Sequence, residues 1–390
     1  MSEQDSADVK IHRGLMGVHF DRTQTTHIDG RAGELRYRGY SIHDLAQHSC
    51  FEETAYLLLH GELPDAAALA AFDGELKTAR LLPDAVVEVV RGLGQAHPME
   101  VLRTAVSALG PFDPDLDDSS PAAILRKGIR LTSQVPVIVA THHNLRQGRQ
   151  PVAPDPGLGH AANFLYMLKG EEPSAAAARL MDTDFVLHAE HGSNASSFTA
   201  RVVSGTNANF HAAATAAVAA LSGPAHGGAA EDVMRMATEI GEASKAADYV
   251  KAMRRAKKPV TGFGLRVYRT EDPRARHMRE GVEKLGLEMG QPQWYEILQA
   301  VVAAMQPYAR HGVNVNVDFY SGVAYYLHGI PEDLFVPIFA VGRVPGWTVQ
   351  VLEQLANNIL IRPLLHYVGP APRDYVPLGH RLNRSKPYSQ

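Results

Sequence analysis

Three kinds of residue in this 390-residue chain have the types and settings to do chemistry. His226 sits in a glycine-rich turn, Gly223-Pro224-Ala225-His226-Gly227-Gly228, just before a helical pattern. Asp318 sits in a tight polar–apolar segment, Asn316-Val317-Asp318-Phe319-Tyr320-Ser321-Gly322. Arg266, Arg269, Arg274, Arg343 and Arg362 follow glycine or proline turns. A carboxylate can take a proton and a histidine can donate a hydrogen bond. Guanidinium forks suit bidentate capture of carboxylates or phosphates. The combination points to enolisation of a substrate held by arginines. Each residue also has a plainer reading: His226 as a satisfied turn histidine, Asp318 as an N-cap for Phe319 onward, and Arg343 and Arg362 as surface residues.

A fourth cluster, His188-Ala189-Glu190-His191-Gly192-Ser193-Asn194-Ala195-Ser196, places two histidines three apart, a spacing that helical metal pairs use. There is no His-Glu-x-x-His and no third ligand at a suggestive spacing, so no metal site is assigned and His188 reads as structural. No phosphate-binding Gly-x-x-x-x-Gly-Lys-Ser/Thr occurs. Gly262-Phe263-Gly264 lacks the third glycine and the preceding strand of a dinucleotide fingerprint. The lone cysteine, Cys50, cannot form an intrachain disulfide and reads as a packing residue.

The elements that must position these residues are mostly helical. Helical periodicity covers 51–60, 65–80, 83–95, 98–109, 121–147, 173–191, 207–221, 229–255, 274–288, 292–309, 320–328 and 346–365. Loops are expected at Asp113 to Ser120 and Gln150 to Gly159. The one strand signal is a small hairpin, Thr25 to Ile28 and Glu34 to Arg38, around Asp29-Gly30-Arg31-Ala32-Gly33. The tail from Gly369 reads as an extended arm. The fold class is therefore all-α and bundle-like. The length calls for one large domain plus an insertion or second domain. Charged residues make up 21% and the net charge is -4, which gives no reason to expect nucleic acid or a membrane as partner. No stretch reads as long and apolar enough to span a bilayer. Met1 to Lys10 lacks the apolar core of a signal peptide, and a reducing cytoplasm is expected.

Taken in order, the motifs resemble the citrate synthase family. They are Gly-Pro-x-His-Gly-Gly, Gly-Phe-Gly-x-Arg-Val-Tyr with Asp-Pro-Arg, Asn-Val-Asp-Phe-Tyr-Ser-Gly, and Gly-Arg-x-x-Gly-Trp through to Arg362-Pro363. Gly33 to Tyr40 and Gly61-Glu62-Leu63-Pro64 match bacterial members. The resemblance implies an all-α homodimer with a shared active site. Its large helical domain would comprise 1–228 and 326–390, and a smaller helical domain 229–325. It implies condensation of an acyl-CoA, most simply acetyl-CoA, with oxaloacetate or a related 2-oxo acid, with no metal and no cofactor beyond the coenzyme A thioester as substrate. Carried over residue by residue, Asp318 resembles the base and His226 the hydrogen-bond donor to the thioester oxygen. His191, Arg274 and Arg343 resemble contacts to the 2-oxo acid, and Arg362 a clamp from the partner subunit. Arg269 and, more weakly, Lys258 resemble contacts to the CoA phosphates.

The sequence departs from the family at Leu265, where a histidine polarises the ketone; leucine can neither donate a hydrogen bond nor carry charge. Arg266 and Arg274 are the candidate substitutes; Tyr268 is a weaker candidate, since it lies in the wrong direction along the motif. Gly192, Ala230 and Gln350 also differ from a common Glu, Asn and His, a set that reads as an altered substrate pocket. Two alternatives to condensation follow: a CoA- or carboxylate-binding paralogue with little catalysis, or a lyase or hydrolase of citryl-like thioesters.

Overall fold

The hairpin forms where Asp29 and the glycines require it. In the computed structural model, which describes residues 9–264 and 267–381, β1 (Thr26–Asp29) and β2 (Glu34–Tyr37) pair antiparallel, Thr26 opposite Tyr37. The Asp29 carboxylate accepts from the amides of Arg31 and Ala32 at 2.8 and 2.9 Å, closing the turn. A third short strand, β3 (Tyr40–Ser41), pairs with β2.

Sixteen α-helices follow among the described residues. They are α1 (Ile42–His48), α2 (Phe51–His60), α3 (Ala66–Thr78), α4 (Asp84–Leu93), α5 (Pro98–Leu109), α6 (Pro121–Arg146), α7 (His160–Lys169) and α8 (Ala175–His188). Then come α9 (Ala195–Ser204), α10 (Phe210–Leu221), α11 (Ala229–Ile240), α12 (Ala246–Arg255), α13 (Ala275–Glu288), α14 (Gln293–Ala309), α15 (Asp318–Leu327) and α16 (Phe335–Ala356). Their starts follow side-chain chemistry: Asp65, Ser120, Ser174, Asn194 and Asn209 each accept a hydrogen bond from an amide in the first turn. The expected helix over 229–255 is two helices, because Gly241 terminates α11 with a left-handed φ of 70°.

The expected helix over 346–365 differs more. It begins at Phe335 and ends at Ala356, so Arg343 and Pro345 lie inside a helix and not after a turn. Glu332–Ala356 is long and apolar enough to cross a membrane, contrary to the reading of the sequence, but its most apolar stretch is 94% buried in the protein. It is the central core helix, packed against α6, α8 and α9. Two glycines permit that packing. A Cβ on Gly128 of α6 would stand 2.2 Å from Thr348, and one on Gly346 would stand 2.2 Å from the carbonyl oxygen of Ala189. The second contact presses α16 onto the end of α8, where the paired histidines lie. Helices α7 and α9, absent from the sequence reading, complete the core around it.

Residues 23–361 form one compact unit. The terminal segments, described over 9–22 and 362–381, form the other. Apart from 3-10 turns at Arg13–Leu15 and Leu378–His380 this second unit is irregular, and it exposes Met16, Leu364, Leu365, Val368 and Tyr375.

Candidate functional site

The site side chains come from the segment after α8, the turns before α11 and α13, and helices α15 and α16. Gly322 brings α15 against α11, since a Cβ there would lie 2.3 Å from the Ala230 carbonyl oxygen. The segment before α13 zips to the one before α15. Gly264 donates to Asn314 O at 2.7 Å, Asn316 to Gly262 O at 3.0 Å, and Asp272 to Val315 O at 3.0 Å.

Asp318 is the first residue of α15, whose cap position is Val317 and makes no side-chain cap bond. The N-cap reading of Asp318 therefore does not hold. Its carboxylate has no hydrogen-bond partner among the described residues. Burial pushes its pKa above the ordinary aspartate value, against the pull of His188 and Arg274. An unpartnered carboxylate made more basic by burial is suited to proton abstraction.

His226, half-buried in the turn before α11, is held by Ser196. The Ser196 amide donates to His226 Nε2 at 3.3 Å, and the Ser196 hydroxyl lies 2.9 Å from the same nitrogen. That hydroxyl also accepts from Trp347 Nε1 at 3.0 Å. A backbone amide can only donate, so Nε2 is unprotonated and the neutral ring carries its proton on Nδ1. Burial, with Arg343 assisting, holds the pKa down to about 4, so the ring is a neutral donor at pH 7.

His191, beyond the end of α8, is also kept neutral, by burial and then by Arg274 and Arg343. His188 turns away: its Nδ1 lies 2.9 Å from Asp184 O and 3.2 Å from the Asp184 carboxylate. That carboxylate accepts from Ser321 at 3.0 Å and Tyr325 at 2.7 Å, both on α15. Among the described residues no group of three or more His, Cys, Asp or Glu could hold a metal ion.

The arginines divide. Arg274 is buried and bidentate to Asp272, at 3.0 and 2.7 Å. Burial works against its charge, but Asp272 more than compensates and raises its pKa. Arg343 is 1% exposed; Nε donates to His188 O, and the guanidinium lies 4.7 Å over the Phe339 ring. It has no ion-pair partner among the described residues, and its Nη1 is buried without any hydrogen bond. Burial pushes its pKa down to about 10. A buried, unpaired cation is costly. Arg269 and Lys258 are exposed, with Arg269 packed on Gly312. Leu265 and Arg266 lie outside the described residues, and Arg362 belongs to the terminal unit.

Sequence reasoning gave no role to Ser196, Asp272, Glu190 or Tyr37. Glu190 is fully buried and accepts from Thr26, from the Gly192 amide at 2.7 Å and from Gln350 at 2.8 Å. Tyr37 of β2 donates to Glu190 O at 2.7 Å. Only their presence inside quoted motifs marked them; no spacing did. Cys50, its thiol pushed up to about 12 by burial, is no nucleophile.

Residues 14–364 match the family described as citrate synthase, C-terminal domain. The chain is 43% identical to a citrate synthase of Haloferax volcanii over 95% of its own length and 99% of the relative's. It is 41% identical to a 2-methylcitrate synthase of Mycobacterium tuberculosis, covering 93% and 92%. A solved ternary complex of citrate synthase from Thermoplasma acidophilum with carboxymethyl coenzyme A and oxaloacetate superposes with a TM-score of 0.89 at 30% identity, covering 95% and 100%. The chain belongs to the citrate synthase family, transferases of the citrate and 2-methylcitrate synthase type.

Proposed function

We propose that this protein condenses an acyl-CoA, acetyl-CoA in the simplest case, with oxaloacetate or a related 2-oxo acid through an enol, and releases CoA. The observation that carries this is the buried Arg343 with an unpaired Nη1, in electrostatic reach of Asp318 and His226. Asp318 takes a proton from the acyl α-carbon. His226, through Nδ1–H, donates to the thioester oxygen as charge develops there. The enol carbon attacks the ketone of the 2-oxo acid, which Arg343, Arg274 and His191 hold through its carboxylates. Water then cleaves the thioester. No step calls on a metal or an organic cofactor.

Arg269 and Lys258, both exposed cations, are assigned to the CoA phosphates. Residues 229–325 act as the smaller domain that closes over the substrates. The exposed apolar residues of the terminal unit favour a homodimer, with Arg362 completing the partner's site. The protein is assigned to the cytoplasm. The paralogue and lyase alternatives are not favoured, because the unpaired base, donor and clamp serve condensation directly.

The test is release of free CoA thiol from acetyl-CoA and propionyl-CoA against oxaloacetate and a panel of 2-oxo acids. Turnover with one pair is the expected result; silence across the panel would overturn the assignment.

A further inference from the structure

Tyr268 lies three residues beyond Leu265 and is 2% exposed. Its hydroxyl is 3.0 Å from His191 Nε2, and the two rings meet edge to face with centroids 5.6 Å apart. The hydroxyl has no other partner among the described residues. If Nε2 were the donor, the buried phenol proton would be left without an acceptor, at the full cost of desolvation. The phenol therefore donates, Nε2 accepts, and neutral His191 carries its proton on Nδ1.

The hairpin grips both halves of this pair. On the histidine side, Thr26 of β1 donates to the Glu190 carboxylate and Tyr37 of β2 to the Glu190 carbonyl. On the tyrosine side, Arg269 donates its amide to Gly30 O at 2.7 Å. The approach is so close that a Cβ on Gly30 would stand 1.9 Å from Val267 O, and one on Gly33 2.5 Å from Thr270 Oγ1.

We propose that Tyr268 is a positioning residue that holds His191 with Nδ1–H free for the 2-oxo acid, and that the β1–β2 turn keeps Tyr268 in place. This rests on the condensation reading above and goes beyond it. With leucine at 265, the Nδ1–H of His191 becomes the neutral donor that meets the ketone, and Tyr268 fixes where it points. The groups whose charge reaches His191 are Arg274, Arg343, His188 and His226, from the residue before α13, from α16, from α8 and from the turn before α11. The cations among them oppose protonation of Nε2.

The experiment has two readouts on the full-length protein. In histidine side-chain nitrogen spectra at neutral pH, His191 is identified by the signal lost in His191→Gln. It is expected to show a protonated Nδ1 and an unprotonated Nε2; a protonated Nε2 overturns the proposal. In steady-state kinetics, Tyr268→Phe is expected to raise the KM for the 2-oxo acid about tenfold, equivalent to about 1.4 kcal/mol. The KM for acyl-CoA should stay unchanged and kcat should fall far less. Gly30→Ala is expected to reproduce that pattern, and the double variant to be no worse than the worse single one. An unchanged 2-oxo acid KM in Tyr268→Phe, or equal rises in both KM values, overturns the proposal. If no substrate pair turns over at all, the condensation reading fails alone. The nitrogen spectra and calorimetric oxaloacetate affinity then decide the role of Tyr268.

Discussion

Replacing Arg343 by methionine should make the protein more stable and nearly inactive. The pKa of Arg343, pushed down to about 10 from an ordinary value of about 12.5, corresponds to about 3 kcal/mol of penalty on the charged form. Because the folded value lies below the unfolded one, folding disfavours the protonated group. The penalty is complete below about pH 10 and is released only as the pH rises from there towards the unfolded value. Methionine, unbranched and adaptable, removes it at neutral pH. It also removes the hydrogen bond to His188 O and the stacking on Phe339, worth about 1 kcal/mol each. The net expectation is about 1 kcal/mol of stabilisation, read as a small rise in Tm by calorimetry. Loss of a bidentate carboxylate clamp should meanwhile cost about 10²–10³ in kcat/KM for the 2-oxo acid. A fall in Tm would mean that Arg343 is structural cement and that its unpaired Nη1 marks no anion site. A rise in Tm with activity intact would separate the cation from substrate binding.

Three further expectations are independent of that one. Asp318→Asn should lower kcat by about 10²–10⁴ in the thiol-release assay, and a retained rate would remove Asp318 as the base. Leu265→His should increase citrate formation from oxaloacetate, by up to about 10²–10³ if the missing donor is the limiting defect; no gain in a variant with normal Tm would place the limit elsewhere in the pocket. Lys127 is fully buried on α6 and donates to Asp115 O, Leu116 O and Asp118 O at 2.8, 3.3 and 2.6 Å. Lys127→Met should therefore destabilise by about 3 kcal/mol in denaturant titrations, and an unchanged midpoint would show that the carbonyls find water.

The legible part of this protein was whatever local chemistry determines. The hairpin follows from Asp29 and the glycines around it, and seven of the sixteen helix starts among the described residues follow from side-chain caps. The His226 turn followed by a helix is likewise written in consecutive residues. What failed depends on long-range packing. The expected helix starts at 346, yet burial on all sides keeps Arg343-Val344-Pro345 helical as well, with Gly346 needed for contact with Ala189 O. Along the sequence Tyr268 lies in the wrong direction from position 265. The pairing of 262–264 and 272 with 314–316 turns the segment so that the phenol reaches His191. Ser196 could not be recognised, because its job is done by a backbone amide, which every residue but proline has.

The same long-range view alters the meaning of the departures from the family. In sequence, Leu265, Gly192, Ala230 and Gln350 look like one remodelled pocket. In the fold, Gly192 occupies a turn with φ of 58°, where a glutamate would be strained, and its amide serves Glu190. Gln350 donates to the same Glu190 carboxylate and accepts from Arg201 Nε at 2.6 Å, so it joins two buried charges. The Ala230 backbone is the surface on which Gly322 packs. The backbone at 192 and 230 and the side chain at 350 thus serve helix packing and the Glu190 network. Gln350→His should then leave the ratio of kcat/KM values between oxaloacetate and other 2-oxo acids unchanged, whatever it does to Tm, because the imidazole would meet Glu190 and Arg201 and not substrate. Leu265→His should shift that ratio towards oxaloacetate. A shift of the ratio by Gln350→His comparable to that of Leu265→His would show that the Glu190 network reaches the acceptor after all.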